Sequence, residues 1–380
     1  MTIRIIFYII FYMEWFICIA LLVVGLILII KGGDWFVDAA SWIAEVSGIP
    51  RFIIGATVVS LATTLPEILV SCIGAAEGNI GLAVGNAVGS VNANLGLILG
   101  MSILAAPAIL DRKKNLPKSI ILIVAVAMLF AFCFTGGDKI NHTGTLVLWQ
   151  AILVILVFVA FFIENFISIR KEAVASGEID KEKKLVFNND PVVLDNGATF
   201  KYDSQIDGNH KFLDPQKDPK TIVINLLKFV FGAAFIIGGA LHLNKYGQQL
   251  AEMLGVPSDI IGVTIVAVGT SLPELATAVT SIIKKKSDMS AGNVIGANII
   301  DITLILPLCA FIGGGSLPVD AQTIVLDLPF CLAVSCIALI PTLIFGKFKR
   351  WQGIIMMVGY VAYILLLVLN VPSVGAIHIF

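Results

Sequence analysis

One stretch of sequence occurs twice in this chain, and the copies align at an offset of 207 residues without a gap. The motifs of the first copy are Thr63-Thr-Leu-Pro-Glu67 and Gly85-Asn-Ala-Val-Gly-Ser90. Those of the second copy are Gly269-Thr-Ser-Leu-Pro-Glu274 and Gly292-Asn-Val-Ile-Gly-Ala-Asn298. Each copy places a glutamate directly after a proline inside an apolar segment. The duplication predicts a fold built from two similar halves.

The apolar content of the chain indicates an integral α-helical membrane protein. Hydrophobic residues make up 58% and charged residues 13% of the 380 residues, whereas soluble domains are about half apolar and a quarter charged. The surplus apolar residues occur in runs of about 20, the length with which a helix spans a lipid bilayer. The sequence shows no basic stripe for binding nucleic acid. The six cysteines occur singly and without a CxxC pair, so we expect free thiols.

We predict an all-α fold of ten transmembrane helices, with five in residues 1–168, five in residues 221–380 and a polar loop at 169–220. In the first half, the predicted helices lie at about 5–30, from residue 51 onward, and at 80–109, 119–134 and 145–167. In the second half, they lie at about 222–243, from residue 257 onward, and at 290–311, 323–345 and 353–371. Helices 2, 3, 7 and 8 are expected to be broken. Residues 32–48 form an amphipathic segment that lies at the interface or extends helix 1. Residues 185–202 can pair as short strands.

The basic residues predict the orientation. Two halves of five helices cross a membrane in opposite senses, which makes them an inverted repeat. The side predicted to be cytoplasmic carries Arg51, residues 112–118, the 169–220 loop, Lys284–Lys286 and Lys347–Arg350. Because Lys and Arg concentrate in cytoplasmic loops, we expect this loop inside the cell and both termini outside, in the cell membrane.

The Pro-Glu pairs predict a site for cations. A carboxylate at membrane depth is costly and is a functional-site hypothesis by default. Pro66 cannot donate the helical hydrogen bond to the carbonyl of Ala62, and Pro273 has the same effect on Gly269. A free carbonyl, two hydroxyls and a carboxylate then lie within one turn. Hard cations such as Na⁺ and Ca²⁺ prefer oxygen ligands of this kind.

These paired motifs resemble the α-repeats of the sodium/calcium exchangers, within the calcium/cation antiporter superfamily. The resemblance implies that the chain exchanges Ca²⁺ and Na⁺ by alternating access, with no cofactor and no protein partner. It implies that Glu67 and Glu274 are shared ion ligands and that Asn94 and Asp301 line the centre. The further ligands that it implies are hydroxyl or carbonyl oxygens of Thr63, Thr64, Thr270 and Ser271, main-chain oxygens of Ser60 and Ala267, and the hydroxyl of Ser90, which completes a sodium site.

The sequence departs from the family pattern at two places. Ala297 stands where the second copy would have the counterpart of Ser90, so one hydroxyl is missing. The first copy reads Gly-Ser-Val91-Asn92, where the family usually has Gly-Ser-Asn-Ile. Exchange of cations for protons is therefore the alternative within the superfamily, because neighbouring carboxylates bind one proton easily. Coupling to K⁺ stays open as well.

The sequence favours other functions less than cation exchange. An intramembrane enzyme is less favoured because the chain has no HExxH-like pair and only one well-placed aspartate, Asp301. A channel is less favoured because broken, inverted repeats are typical of alternating access. Asn86 and Asn293 are equally compatible with ion binding and with hydrogen bonds between helices. The residues expected at the membrane interface are Asp34, Asp38, Glu164, Asp327 and Lys284–Lys286.

Overall fold

The computed structural model describes residues 2–47, 49–108, 112–135, 144–185, 192–193, 199–200, 218–253 and 267–370. The first half contains α1 (Thr2–Ser47), α2 (Arg51–Thr63), α3 (Leu65–Ala76), α4 (Ile80–Ala105), α5 (Arg112–Thr135), β1 (Gly144–Val147) and α6 (Leu148–Leu185). The strands β2 (Val192–Val193) and β3 (Thr199–Phe200) follow. The second half contains α7 (Pro219–Met253), α8 (Ala267–Thr270), α9 (Leu272–Ile283), α10 (Ser287–Ile312), β4 (Ser316–Val319), α11 (Thr323–Phe345) and α12 (Arg350–Asn370).

Eight of the described helices are long and apolar enough to cross a membrane, and the count rises to nine if α2 and α3 form one bent span. The protein is therefore a multi-pass membrane protein. The first part of the helix predicted from residue 257 onward, up to residue 266, lies outside the described residues, and α8 and α9 represent the rest of it. The number of ten helices, their inverted arrangement and the division at residues 168 and 221 stay predictions.

Helix α1 is continuous to Ser47, so the amphipathic segment extends helix 1 rather than forming a separate interfacial segment. Of the two adjacent glycines in this helix, Gly32 packs against α7 and Gly33 packs against Thr280 of α9. A Cβ atom added to Gly32 would lie 2.8 Å from the main-chain oxygen of Gly232, and one added to Gly239 would lie 2.6 Å from that of Gly25. Small residues of this kind let the backbones of membrane helices approach closely. Helices α1 and α7 pack along each other as a pair.

The break predicted in helix 2 is confirmed. The axes of α2 and α3 differ by 44°, and the break falls at Thr64, two residues before Pro66. In the second copy the corresponding residue, Ser271, separates α8 from α9. The proline stands at the start of the second segment in both cases, where its missing amide hydrogen costs no helical hydrogen bond.

The prediction that helices 3 and 8 are broken is wrong. Both α4 and α10 run continuously, and each contains one π-helical segment, at Asn94–Leu99 and at Asp301–Ile305. Neither segment contains a proline, and the helix continues through each of them as a wider turn that absorbs one extra residue. The two π segments start at corresponding positions of the repeat, on the two residues expected to line the centre.

The helices on either side of the polar loop extend further than predicted. Helix α6 does not end near residue 167 but continues to Leu185, and α7 begins at Pro219. The expected strand pair is present within residues 185–202, where Val192 pairs with Phe200. A second antiparallel pair, between β1 and β4, was not predicted. It joins the segment before α6 to the segment after α10, and a pairing over such a distance leaves no local pattern in the sequence.

Burial divides the helices into a central and a peripheral group. In the most apolar windows of α4 and α10, 78% of the residues are buried, against 17% in those of α1, α6 and α7. The peripheral helices expose many large apolar side chains, as lipid-facing helices do. The helices that carry Asn94 and Asp301 are therefore the core of the protein. All six cysteines are free, as expected.

Two of the lysines between α9 and α10, which were expected at the membrane interface, form ion pairs with α1. The Nζ atom of Lys284 lies 2.9 Å from Oδ1 of Asp38 and 3.3 Å from Oδ1 of Asp34. Lys286 lies 3.9 Å from Asp38. These pairs attach the α1–α7 pair to the turn that follows α9, a contact that only the tertiary structure shows.

Candidate cation site

The two glutamates occupy equivalent places in the structure. Each lies in the first turn of the helix that follows a break, Glu67 in α3 and Glu274 in α9. Both side chains are buried, with 1% and 0% of their surface exposed. The free amide groups at a helix N-terminus favour negative charge, so the break itself helps to keep a carboxylate inside the protein.

Hydroxyl groups beside the breaks connect the two halves. The hydroxyl of Thr63 donates to Oδ1 of Asn293 at 3.2 Å, and that of Thr270 donates to Oδ1 of Asn86 at 3.0 Å. The two bonds join corresponding residues of the repeat. They bring α2 to α10 and α8 to α4, so the broken segments of each half contact the central helix of the other half.

Asn86 and Asn293 make the hydrogen bonds between helices that one of their two interpretations expected. The amide of Asn86 donates to the main-chain oxygen of Glu67 at 3.3 Å and to Oγ of Ser71 at 2.9 Å. The amide of Asn293 donates to Oγ1 of Thr277 at 2.8 Å. Both asparagines therefore hold the helices that carry the glutamates.

The hydroxyls next along the chain face the carboxylates. Thr64 donates to Oε1 of Glu274 at 3.2 Å. The corresponding hydroxyl, that of Ser271, lies close to Glu67 but does not reach hydrogen-bonding geometry. Ser90 lies 3.4 Å from Thr270, oxygen to oxygen. The predicted residues of both halves thus converge on one buried region.

Many oxygen atoms of this region have no hydrogen-bond partner among the described residues. These atoms are both carboxylate oxygens of Glu67 and of Asp301, Oε2 of Glu274, the amide oxygens of Asn94 and Asn298, and Oγ of Ser271. Buried polar atoms in native proteins are nearly always paired, so such a concentration needs an explanation. The three carboxyl groups lie close enough to interact with one another electrostatically. A bound cation would satisfy these oxygens and offset the mutual repulsion.

The carboxylates alone do not form a metal site. Within the part of the chain that the structure describes, no three His, Cys, Asp or Glu side chains converge closely enough to hold a metal ion. A cation would therefore take its other ligands from hydroxyl, amide and main-chain oxygens. Na⁺ and Ca²⁺ accept such mixed sets of oxygen ligands.

Two of the predicted main-chain ligands differ from the rest. The carbonyl of Ser60 already accepts the amide of Thr64 at 2.9 Å and the hydroxyl of Thr63 at 3.3 Å. Ala267 is the first residue of α8, and the residues before it lie outside the described part of the chain. The carbonyl of Ser60 is therefore already hydrogen-bonded, and that of Ala267 stays a prediction.

Sequence reasoning did not identify Asn298 as a site residue and did not predict that Asp327 is buried. Asn298 is fully buried, and both polar atoms of its side chain lack a partner. Its counterpart is Val91, so comparison of the two copies could not identify it; the signal was that Asn298 keeps the asparagine of the family pattern Gly-Ser-Asn-Ile, from which the first copy departs. Asp327, which was expected at the membrane interface, faces the interior of the protein: 5% of it is exposed, and Tyr363 donates to it.

Comparison with known proteins agrees with the duplicated geometry. A profile of the sodium/calcium exchanger protein family matches residues 17–166 and again residues 224–369, two segments whose starts differ by the repeat offset. The chain belongs to the sodium/calcium exchanger family. This confirms the resemblance based on the paired motifs. It makes the chain a multi-pass cation antiporter of a family of exchangers rather than of enzymes.

Relatives of this exchanger match it over nearly their whole length. The sodium/calcium exchanger MaX1 of Methanosarcina acetivorans is 30% identical over 91% of this chain and 97% of the relative. The inner membrane protein YrbG of Escherichia coli is 29% identical over 92% of this chain and 96% of its own.

A solved structure has the same fold. The sodium-calcium exchanger NCX_Mj, studied after soaking with Na⁺ and Sr²⁺, superposes with a TM-score of 0.67 at 26% identity. The match covers 92% of this chain and 98% of that protein.

Proposed function

We propose that this exchanger moves Ca²⁺ in exchange for Na⁺ across the cytoplasmic membrane by alternating access. The observation that carries the proposal is the concentration of unpartnered, buried oxygens around Glu67, Glu274 and Asp301. Two carboxylates from different halves can offset the charge of one Ca²⁺ where water cannot. MaX1 and NCX_Mj, whose names describe exchange of sodium and calcium, support the choice of ions.

The proposed ligands are those predicted from the sequence, together with Asn298. Glu67 and Glu274 serve Ca²⁺ and Na⁺ alike, while the hydroxyl of Ser90 contributes to a sodium site through α4. The two halves form an inverted repeat, and rocking of the broken segments against α4 and α10 exposes the site to one side at a time. The 169–220 loop lies in the cytoplasm, and both termini lie outside.

Exchange of Ca²⁺ for protons is the second candidate, and one observation favours it. Ala297 is fully buried at the place where a hydroxyl would complete the second half of the site. A site with one hydroxyl fewer binds Na⁺ less well, whereas closely spaced carboxyls can still exchange protons for Ca²⁺. The carboxyl cluster alone is compatible with both ions.

The experiment that separates the two is flux in proteoliposomes that contain the purified protein. An outward Na⁺ gradient at equal pH should drive uptake of ⁴⁵Ca²⁺, and a pH gradient without Na⁺ should drive little. The reverse result would mean that the protein is an antiporter that exchanges Ca²⁺ for H⁺ instead of Na⁺. Uptake that follows neither gradient, but simply relaxes the Ca²⁺ gradient, would reject exchange in favour of a channel.

A further inference from the structure

A second buried polar cluster joins three helices beside the candidate site. Its members are Asn92 of α4, Asp327 of α11 and Tyr363 of α12. The exposed fractions of these residues are 0%, 5% and 5%. Polar groups within membrane helices are expensive and often functional. None of the three belongs to the ligand set described above.

Asp327 is the centre of this cluster. Its carboxylate oxygen Oδ1 accepts a hydrogen bond from the hydroxyl of Tyr363 at 3.0 Å. Its main-chain oxygen accepts one from the amide of Asn92 at 3.2 Å. No Lys, Arg or His within the described residues forms an ion pair with it. The contacts of Asp327 are therefore those of a residue that fixes neighbouring helices, not of one half of an ion pair.

The cluster lies against the π-helical segment that begins at Asn94. Asn92 stands two residues from both Ser90 and Asn94, about 200° around the helix, so it holds α4 from a different side. Within the π segment, a Cβ atom on Gly96 would lie 2.8 Å from Cβ of Tyr360. The ring of Tyr363 in turn stacks on that of Phe330, with centroids 4.6 Å apart. Helices α11 and α12, with the cluster of Asn92, Asp327 and Tyr363, thus form a brace that supports the π-helical segment of α4.

The equivalent place in the repeat does not contain this cluster. Ile299 is the counterpart of Asn92 at the repeat offset; after the motifs the spacing changes, because Asn115-Leu-Pro117 aligns with Asp327-Leu-Pro329 and Trp149-Gln150 with Trp351-Gln352, so Asn115 and Phe161 correspond to Asp327 and Tyr363. Neither Ile299 nor Phe161 can supply the polar contacts of Asn92 and Tyr363, so the duplication does not explain the cluster. Its asymmetry parallels that of the site, where Ser90 has a hydroxyl and its counterpart Ala297 has none.

We propose that Asp327, through Tyr363 and Asn92, is a positioning residue that sets how well this exchanger binds Na⁺ relative to Ca²⁺. It holds α4 so that Ser90 and Asn94 point at the ion. The glutamates stand on α3 and α9, outside the brace, so the affinity for Ca²⁺ depends on it less. This inference rests on the proposed exchange of Na⁺ and Ca²⁺ at the same site.

The test measures equilibrium binding, which needs no transport. Purified protein binds ⁴⁵Ca²⁺, and added Na⁺ displaces it. In Tyr363→Phe, the Na⁺ concentration for half displacement should rise about three- to tenfold, which corresponds to the lower half of the range of coupling energies between contacting residues. The dissociation constant for Ca²⁺ should change by less than about twofold. The matched control is Tyr360→Phe, which loses a hydroxyl one turn away and keeps the ring contact with Gly96.

Two substitutions of Asp327 separate position from charge. Asp327→Asn retains an oxygen for the Tyr363 hydroxyl and the main-chain oxygen for Asn92. The Na⁺ concentration that displaces half of the bound Ca²⁺ should therefore stay near that of the wild type. Asp327→Leu loses the bond to Tyr363 and should behave as Tyr363→Phe does. A Tyr363→Phe protein with unchanged displacement would overturn the inference, as would equal shifts in Tyr363→Phe and Tyr360→Phe. If Asp327→Asn is as defective as Asp327→Leu, the effect comes from the charge of Asp327, and the positioning role is rejected. Wild-type protein that binds no Ca²⁺ would reject the proposed function instead.

Discussion

Glu67 and Glu274 are the residues on which the proposed site depends most, because they are the carboxylates that both halves contribute at the same depth. Their surroundings are alike but not identical. Thr64 donates to Glu274, whereas both oxygens of Glu67 lack a partner among the described residues. Loss of either charge leaves a divalent cation only partly neutralised in a medium of low polarity.

We therefore expect Glu67→Gln to weaken Ca²⁺ binding by about two to four orders of magnitude, because removing one partner of a buried charge pair costs about 3–5 kcal/mol. Binding of ⁴⁵Ca²⁺ to purified protein measures this. Glu77→Gln is the matched control, since Glu77 is exposed at the end of the same helix and faces no ion. Near-normal binding in Glu67→Gln would reject the proposed site.

Ala297 tests the missing hydroxyl. It is fully buried on α10, at the place that corresponds to Ser90. Ala297→Ser adds one oxygen ligand for Na⁺, so the Na⁺ concentration for half-maximal exchange should fall while the dependence on Ca²⁺ stays nearly unchanged. Flux measured at a series of Na⁺ concentrations gives the answer. If Na⁺ dependence does not change and a pH gradient drives uptake in the wild type, the exchanger uses protons.

At the scale of helices, the contact between α2 and α10 is the tightest feature around the site. A Cβ atom on Gly292 would collide with the main-chain oxygen of Phe52, and one on Gly296 would lie 2.6 Å from the hydroxyl of Ser60. The corresponding glycine of α4, Gly85, is exposed, and a Cβ atom there would meet nothing within 4 Å. The two copies of one motif therefore pack differently.

This difference predicts opposite effects of the same substitution at equivalent positions. Gly292→Ala should lower the midpoint of thermal unfolding clearly, because the backbone of α2 must move. Gly85→Ala should leave the midpoint unchanged or raise it slightly, because alanine favours a helix by about 1 kcal/mol over glycine. Thermal unfolding of both variants in detergent decides this. Equal midpoints would show that the contact between α2 and α10 does not contribute to stability.

At the scale of the whole molecule, the orientation in the membrane is a prediction from the distribution of Lys and Arg. Asp320 and Lys347 are both exposed and lie beyond the two ends of α11. A single cysteine is placed at each position in a version of the protein that lacks its own six. An impermeant thiol reagent applied to intact cells should label Asp320→Cys and not Lys347→Cys. Labelling of Lys347→Cys alone would mean that the protein is inserted the other way round.

Local features of the sequence predicted some parts of the fold and not others. The break before Glu67 was predictable because a proline acts on the residues next to it. The π segment at Asn94 was not, because nothing local distinguishes it from an ordinary helix. The pairing of β1 with β4, the ion pairs of Lys284 and the burial of Asp327 depend on partners far away in the chain.

The sequence by itself determined the helical membrane fold, the duplication and the two glutamates. Apolar runs of this length must satisfy their backbone hydrogen bonds within one helix, and a repeated motif is visible without a structure. Only the tertiary structure decided which polar groups meet. Thr63 and Asn293 are 230 residues apart in the chain but share a hydrogen bond, because helix packing, and not local sequence, brings them together.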